Sequence, residues 1–272
     1  MKTTGRPKIK PLFILNGKKP SGRPSIDKET PHNQETYKSG CMVCGEELVY
    51  FEVDRKSTCY YCGRLLISNA CCPNGHFVCD ACHRADAVEI IQDVCLHSGE
   101  TDIITLMQTI RSHPNFSIHG PEHHALIPAI ILTALKNNGC PVSDVQILSA
   151  IERGQSIMGG ACAFLGVCGA AIGVGIAVSL LLEANPYKGD QRQIAQQATQ
   201  IALAEIASYN APRCCQRDCW LALKKAAPLL QEYTGISLTV NQISCEQYSR
   251  NNECIHNLCP LWPSAQKTEL PL

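Results

Sequence analysis

From residue 84 onward, apolar side chains recur every three or four positions, which is the spacing of one buried face of an α-helix. Proline, glycine and cap residues divide this pattern into segments. The predicted helices are Ala85–Leu96, Thr101–Ile110, Glu122–Lys136, Val142–Arg153, Asp190–Tyr209 and Cys214–Tyr233. Residues 41–83 instead carry short β-type segments such as Leu48–Phe51, and residues 1–40 show no sustained period. The pattern predicts a mainly α fold, with a small β module (41–83) before an α-helical domain (84–272).

One apolar stretch between these helices, Ile157–Leu182, contains no charged residue and is long enough to span a bilayer. It consists largely of Gly, Ala and Cys, however, and it has no aromatic belt and no basic cluster beside it. We therefore interpret it as a buried helix pair in a cysteine-lined core. Membrane association remains the alternative interpretation, and we expect the protein to purify without detergent.

Eight cysteines and two histidines lie between Cys41 and His83. They form three Cys-x-x-Cys pairs and one Cys-Cys-Pro-x-Gly-His segment. A Cys-x-x-Cys turn places two thiolates on one side of a tight loop, which is half of a tetrahedral Zn²⁺ shell. The array therefore predicts a zinc-ribbon-like module.

Two ligand connectivities fit the spacing. In a sequential arrangement, one metal is bound by Cys41, Cys44, Cys59 and Cys62, and the second by Cys72 (or Cys71), His76, Cys79 and Cys82. In a cross-braced arrangement, Cys59 and Cys62 join Cys79 and Cys82. Both are closed four-ligand shells, which are typical of structural zinc. The module is therefore expected to be a scaffold or a docking surface for a protein partner rather than a catalyst.

Charge is distributed unevenly along a chain whose formal net charge is zero. Residues 1–40 carry nine Lys and Arg against three Asp and Glu, a net charge of +6. A basic, mostly irregular arm of this kind is either solvated or in contact with nucleic acid or an acidic partner. The polar N-terminus has no apolar run long enough for a signal peptide, so the eighteen cysteines are expected in a reducing cytoplasm.

The helical domain contains a second, less regular set of chemically active residues. His119, Glu122 and His123 lie at a predicted helix start, where the two histidines form a candidate metal half-site. Cys162 and Cys168 flank the apolar stretch, and glycines after Cys168 allow close backbone approach. Alone, the histidine motif is equally compatible with helix capping and surface histidines, and either thiol taken singly favours a small core residue.

Further cysteines occur near the C-terminus. Cys215 and Cys219 are one helical turn apart beside two arginines, and a helix N-terminus in that setting is expected to lower a thiol pKa. Cys245, Cys254 and Cys259 form a spaced trio that ends in Cys-Pro, as some iron–sulfur ligand runs do. We predict a His/Cys-lined redox or metal site, which would hold an iron–sulfur cluster or a second metal.

The chain resembles an uncharacterised family of cysteine-rich microbial proteins, domain of unknown function 5714, over roughly residues 41–260. The segments that carry this resemblance are Cys59-x-x-Cys62, Asn-Gly-His76-x-x-Cys79-Asp-x-Cys82-His83, His119-Gly-Pro-Glu-His-His124, and Gly-Gly-Ala-Cys162 to Cys168-Gly-Ala-Ala. The last segment is also faintly similar to small redox proteins with a Cys-Gly-x-x-x-Gly signature. Some members are labelled as methyltransferases, but this chain lacks the glycine loop of a dinucleotide-type fold. The resemblance implies a fold more than an activity.

The sequence therefore predicts a cytoplasmic metalloprotein with structural zinc knuckles and a thiol- or metal-dependent redox or group-transfer site. The competing prediction is a non-enzymatic zinc-ribbon module that binds nucleic acid or a partner protein. In the first case six residues converge on one pocket: His119, His123, Cys162, Cys168, Cys215 and Cys219. Glu122, next to the histidines, is a further catalytic candidate. In the second case the cysteines among them are core residues.

Overall fold

The computed structural model describes residues 41–79, 82 and 86–263. The basic arm at 1–40 and His83 lie outside the described residues, so the predictions for them are not addressed by the structure. The described part is mainly helical and begins with a small cysteine-rich β module. This confirms the predicted fold class.

A single antiparallel hairpin forms the β module. Its strands are β1 (Val49–Thr58) and β2 (Leu65–Cys71), and their register shifts between Tyr50 and Arg55. The connecting turn contains Gly63 at φ +70°, a left-handed conformation that glycine adopts without strain. A two-stranded hairpin is marginally stable by itself in water. Packing of Cys59, Tyr61 and Cys62 into the helical core therefore contributes to the stability of the module.

Helices make up the rest of the described chain. They are α1 (Ala87–His97), α2 (Ile103–Arg111), α3 (Glu122–Asn137), α4 (Asp144–Gln155), α5 (Ala161–Phe164), α6 (Gly169–Leu181), α7 (Gly189–Ala207) and α8 (Cys215–Thr234). Two helix starts carry a capping box, from Asp86 with Glu89 and from Ser143 with Gln146. Two short 3₁₀ turns follow α8, at Tyr248–Arg250 and His256–Leu258.

Helix α3 is the centre of the core. Every residue from Ala125 to Leu135 is buried, and the helix packs against α1, α2, α4, α6 and α8. A helix that is apolar on all sides requires neighbours on all sides. One end of this central helix therefore holds the His-Gly-Pro-Glu-His-His segment against several other elements.

The apolar stretch Ile157–Leu182 is divided rather than continuous. The four-residue helix α5 leaves Cys162 and Phe164 exposed, whereas α6 is largely buried. Helix α6 approaches its neighbours closely, because a Cβ at Gly173 would lie 2.8 Å from Pro128 Cδ. The expected buried helix pair is thus one buried helix preceded by an exposed turn. Among the described residues, no helix is long and apolar enough to cross a membrane.

Candidate metal centres and a cysteine-lined pocket

The first candidate metal centre combines three thiols and one imidazole, from Cys41, Cys44, Cys72 and His76. All four donor atoms lie within 4.8 Å of one another. Cys44 Sγ is 3.8 Å from Cys72 Sγ, and His76 Nδ1 is 3.4 Å from Cys72 Sγ. A tetrahedral ion with Zn–S bonds of about 2.3 Å separates its sulfur ligands by about 3.8 Å. The observed spacing is that of a shell around one ion.

The second candidate centre contains four buried thiols, from Cys59, Cys62, Cys79 and Cys82. Cys62 Sγ is 3.9 Å from Cys79 Sγ, and the backbone amide of Cys79 donates to Cys59 Sγ at 3.4 Å. These four donors also lie within 4.8 Å of one another. A multi-iron cluster would hold them farther apart, since iron atoms and bridging sulfides would lie between the cysteines. The site therefore fits a single ion.

The two groups interleave along the chain. The first takes the pair Cys41/Cys44 and the segment around Cys72, and the second takes Cys59/Cys62 and Cys79/Cys82. Of the two connectivities that the spacing left open, the geometry has the cross-braced form. The hairpin explains it, because β1 and β2 run between the two centres and return the chain from one to the other.

Charge favours a cation at the second centre. Hydrogen bonds with Cys59 and Cys82 hold the pKa of Cys62 far below its usual range, and hydrogen bonds with Cys59 and Cys62 raise the pKa of Cys82. Arg64 donates to Cys62 Sγ at 3.3 Å and is paired with Asp93 of α1 at 3.0 Å. Four adjacent thiols cannot all ionise without a bound cation. A divalent ion would remove this conflict, and the Arg64–Asp93 ion pair links the centre to α1.

Cys44 is the exposed ligand of the first centre. The backbone amide of Glu46 and the side chain of Asn74 lower the pKa of Cys44 to about 6. Asn74 Nδ2 lies 3.6 Å from its sulfur. A thiol that ionises near neutral pH is already in the form that binds a metal.

A separate pocket lies in the helical domain, between the start of α3, the α5–α6 turn and the first turn of α8. Residues predicted from three distant segments meet there: His123, Cys162, Cys168, Cys215 and Cys219 line one cavity. The space not filled by atoms is about 550 Å³. Asp218 and Arg213 add one carboxylate and one guanidinium to its wall. No other group of three metal-type donors within 4.8 Å is present in the described residues, so the thiols here do not form a closed shell for one ion.

The two predicted histidines of the half-site point to different partners. His123 is buried, its Nδ1 donates to Gly120 O at 3.1 Å, and its Nε2 contacts the Arg111 guanidinium. Both ring nitrogens are therefore engaged, and none is left for a metal. Burial and Arg111 lower the pKa of His123 well below its usual value, so the ring is neutral.

His119 and Glu122 lie beside the pocket rather than in its lining. His119 Nδ1 accepts from the Cys215 amide at 3.5 Å, and its Nε2 is 3.0 Å from Asn251 Oδ1. Glu122 folds back over Gly120, where a Cβ would collide with its carboxylate. Glu122 Oε1 is buried without a hydrogen-bond partner and lies 3.9 Å from His123 Nδ1. Helix α3 begins only at Glu122, so His119 lies outside the helix that holds His123, and the expected one-turn spacing of the two histidines does not apply.

His124 is a pocket residue that the sequence analysis did not assign. Its Nδ1 donates to Ile157 O at 3.2 Å, so in the neutral ring Nε2 is the unprotonated nitrogen. The ring lies against Gly169, where a Cβ would be 2.6 Å from Nε2. His124 thus takes the place in the pocket wall that was expected of His119. Its position next to His123 in the motif was the available signal.

The expected low thiol pKa at the start of α8 was wrong. Burial raises the pKa of Cys215, and it raises the pKa of Cys219 well above its usual value. Burial likewise raises the pKa of Cys168 to about 12. Loss of solvation outweighs the helix dipole and the arginines at these positions. Cys162 differs from them because it is exposed.

Comparison with known proteins identifies the family alone. No curated protein and no solved structure matches the chain significantly. The family model described as "Family of unknown function (DUF5714)" matches residues 91–262. That range includes the whole cysteine-lined pocket and excludes both candidate metal centres. The chain belongs to this family of unknown function.

Proposed function

We propose that the protein is a zinc-stabilised thiol redox protein. The two Cys/His centres hold structural zinc, and the cysteine-lined pocket performs thiol–disulfide exchange. The observation that carries the proposal is that cysteines from the α5–α6 turn and from α8 line one cavity together with His124. Cysteines that serve only as small core residues would be dispersed through the core rather than gathered around a solvent-accessible space.

Zinc is supported by the chemistry of the donor sets. Three thiols with one imidazole and four thiols are the common sets of structural zinc sites. His76 and the seven cysteines would hold the ions, which would supply folding free energy and no reaction step. All eighteen cysteines are unpaired, which is consistent with a reducing compartment such as the cytoplasm.

Cys162 and Cys168 are the proposed redox pair. The amide of Val167 donates to Ala161 O at 3.3 Å, so the chain closes on itself just before each cysteine. Exposed Cys162 attacks a substrate disulfide, forming a mixed disulfide and releasing one substrate thiol. Cys168 then attacks Cys162 and releases the second substrate thiol. Two thiols are oxidised and one disulfide is reduced, so electrons balance.

His124 is the proposed base for the second step. Cys168 has a raised pKa and is protonated at neutral pH, so it needs a proton acceptor before it can attack. His124 belongs to the same cavity wall, and its Nε2 is the ring nitrogen that is not bonded to Ile157 O. Cys215 and Cys219 complete the wall as further thiols.

Mild oxidation tests this function. The reduced protein is treated with diamide, and the disulfides are mapped by mass spectrometry in the wild type and in Cys162→Ala. We expect a Cys162–Cys168 disulfide that a dithiol reductant reverses. Cys140→Ala is the matched control, because Cys140 is half-buried and lines none of these cavities. If Cys162 and Cys168 stay reduced while other cysteines oxidise, the non-enzymatic binding module becomes the better account.

A docking role for the β module is the second candidate function. Val53, Leu65 and Ile67 on the hairpin are exposed by 75%, 61% and 62%. The described sheet has two strands, so each leaves an unpaired edge. We propose that an extended segment of a partner protein adds as a further strand along one of these edges. A photo-cross-linking residue at position 67 should capture that partner, and Val53→Asp should abolish capture. The same cross-linking residue at position 225, in α8, is the control. Capture of the partner from position 225 as efficient as from position 67 would contradict the docking proposal.

A further inference from the structure

A second cysteine-rich cavity lies next to the first turn of α8. It is lined by Cys214, Cys245, Cys254 and Cys259, together with Arg217 and Trp262. The space not filled by atoms, including open solvent at its mouth, is about 360 Å³. Three of these cysteines are the C-terminal trio, and Cys214 is a fourth that joins them from the start of α8. Cys214 lines this cavity while Cys215, the next residue, lines the redox pocket.

Specific backbone contacts bring the C-terminal cysteines to α8. The amide of Cys245 donates to Leu261 O at 2.8 Å, which pairs the segment before Cys254 with the segment after Cys259. The indole of Trp220 in α8 donates to Asn241 O at 2.9 Å. These tethers lie on both sides of the trio, and its three cysteines line one cavity with Cys214, Gln216 and Arg217 at the start of α8.

Backbone amides surround the four sulfurs. The amide of His256 donates to Cys254 Sγ at 3.3 Å. Cys214, Cys245 and Cys259 each accept a backbone hydrogen bond from a residue two or three positions later in the chain. Amide donors at such offsets also surround Cys41 and Cys62 in the zinc module. Sulfur atoms that accept N–H donors are prepared to carry negative charge, as metal-bound thiolates do.

Positive charge is placed near the same cavity. Arg217 is buried, lies in the cavity wall and is paired with Asp218 at 2.9 Å. Arg111 donates to Gln247 Oε1 at 2.5 Å and contacts the neutral ring of His123. Within the described residues, no carboxylate lies within ion-pair distance of Arg111. A guanidinium held by neutral partners near several cysteines favours an anionic group among them.

The separation of the sulfurs distinguishes this cavity from the zinc centres. No three of its donor atoms lie within 4.8 Å of one another, whereas both zinc centres meet that limit. One tetrahedral ion therefore does not fit between them. A cluster of iron and sulfide holds its cysteine ligands farther apart, and four thiolates are its usual ligand set. We propose that Cys214, Cys245, Cys254 and Cys259 ligate an iron–sulfur cluster.

This site is independent of the redox pair, because none of its four cysteines lines that pocket. The full chain is reconstituted anaerobically with ferrous iron and sulfide, and iron, acid-labile sulfide and visible absorption are measured. We expect equal amounts of iron and labile sulfide. Labile sulfide separates a cluster from iron in the zinc module, because a single ion in a thiolate site contains none.

Two variants assign the cluster. Cys254→Ala should lose most of the labile sulfide and visible absorption, whereas Cys140→Ala should keep both. Cys254 and Cys140 are each half-buried, so the two substitutions disturb packing to a similar extent. A wild-type protein that takes up no labile sulfide would overturn the proposal, and so would a folded Cys254→Ala that retains the wild-type amount.

A measurement on the wild type alone covers the case in which the variant does not fold. Alkylation before and after reconstitution is mapped by mass spectrometry. The four proposed ligands should become protected on loading, while Cys162 should stay reactive. Unchanged labelling of Cys254 after loading would contradict the assignment.

Discussion

Replacing Gly169 by alanine tests whether the pocket depends on close contact between α6 and His124. Gly169 is the first residue of α6, and the His124 ring occupies the space that a side chain would need. A Cβ there would lie 2.6 Å from His124 Nε2 and closer still to two ring carbons. The ring must therefore move away, which breaks the bond from Nδ1 to Ile157 O.

The size of the effect follows from three contributions. Overpacking of a close contact costs about 1–3 kcal/mol. The lost hydrogen bond adds about 0.5–1.5 kcal/mol. Removing a glycine from a helix returns about 0.5–1 kcal/mol. The free energy of unfolding should fall by roughly 2 kcal/mol, or about 4–8 °C in Tm for a domain of this size.

Thermal and urea unfolding of Gly169→Ala and Gly189→Ala provide the assay. Gly189 is also the first residue of its helix, but nothing lies within 4 Å of a Cβ there. With open space around it, the control should raise the free energy of unfolding by about 0.5–1 kcal/mol, the helix gain alone. Formation of the Cys162–Cys168 disulfide should slow only in Gly169→Ala. Equal stability of the two variants, with His124 NMR signals unchanged, would refute the proposed packing.

Three further predictions concern metal and pH. Cys41→Ala with Cys44→Ala should leave one metal, and cobalt in that variant should show a spectrum of four thiolates; a spectrum of three thiolates and one imidazole would mean sequential connectivity. Replacing both Cys79 and Cys82 by Ser should release the second metal and unfold the hairpin; unchanged zinc content would contradict this. Burial raises the pKa of Cys95 from 9.0 to about 12. Between these two values only the unfolded state loses the thiol proton, so the free energy of unfolding falls as the pH rises from about 9 to about 12. This one thiol should lower the free energy of unfolding by roughly 1 kcal/mol at pH 10. In Cys95→Ala the free energy of unfolding should therefore fall less steeply with pH than in the wild type.

The helices could be predicted from the sequence because their signals are local. Periodicity places α1, α3 and α8 within a few residues of their observed bounds, and capping residues such as Asp86 and Ser143 mark helix starts. Strand β1 extends well beyond the predicted segment Leu48–Phe51. The predicted segment was too short because charged residues in the strand conceal its alternation of apolar and polar positions. Its pairing with β2, not its own composition, determines where it ends.

The arrangement of the metal ligands could not be predicted, because spacing along the chain is the same in both connectivities. The length and register of the hairpin decide which knuckles meet. The grouping of Cys214 with the C-terminal trio could likewise not be predicted, since the three cysteines are about thirty to forty-five residues away in the chain. The prediction of a lowered thiol pKa at the start of α8 failed for a related reason. The helix dipole is visible in the sequence, whereas the burial that outweighs it at Cys215 arises only on folding.

The histidine in the pocket wall shows the same limit. Helical spacing brings His119 and His123 together only if the helix already includes His119, and α3 begins at Glu122. The turn at Gly120 instead directs His119 toward Asn251 and leaves His124 in the pocket.

The zinc content of anaerobically purified protein tests the central claim most directly. Zinc is quantified per folded chain by inductively coupled plasma mass spectrometry, with protein concentration from amino-acid analysis. The two four-ligand centres predict two zinc ions per chain. A folded protein with an intact hairpin and less than one zinc per chain would contradict the account.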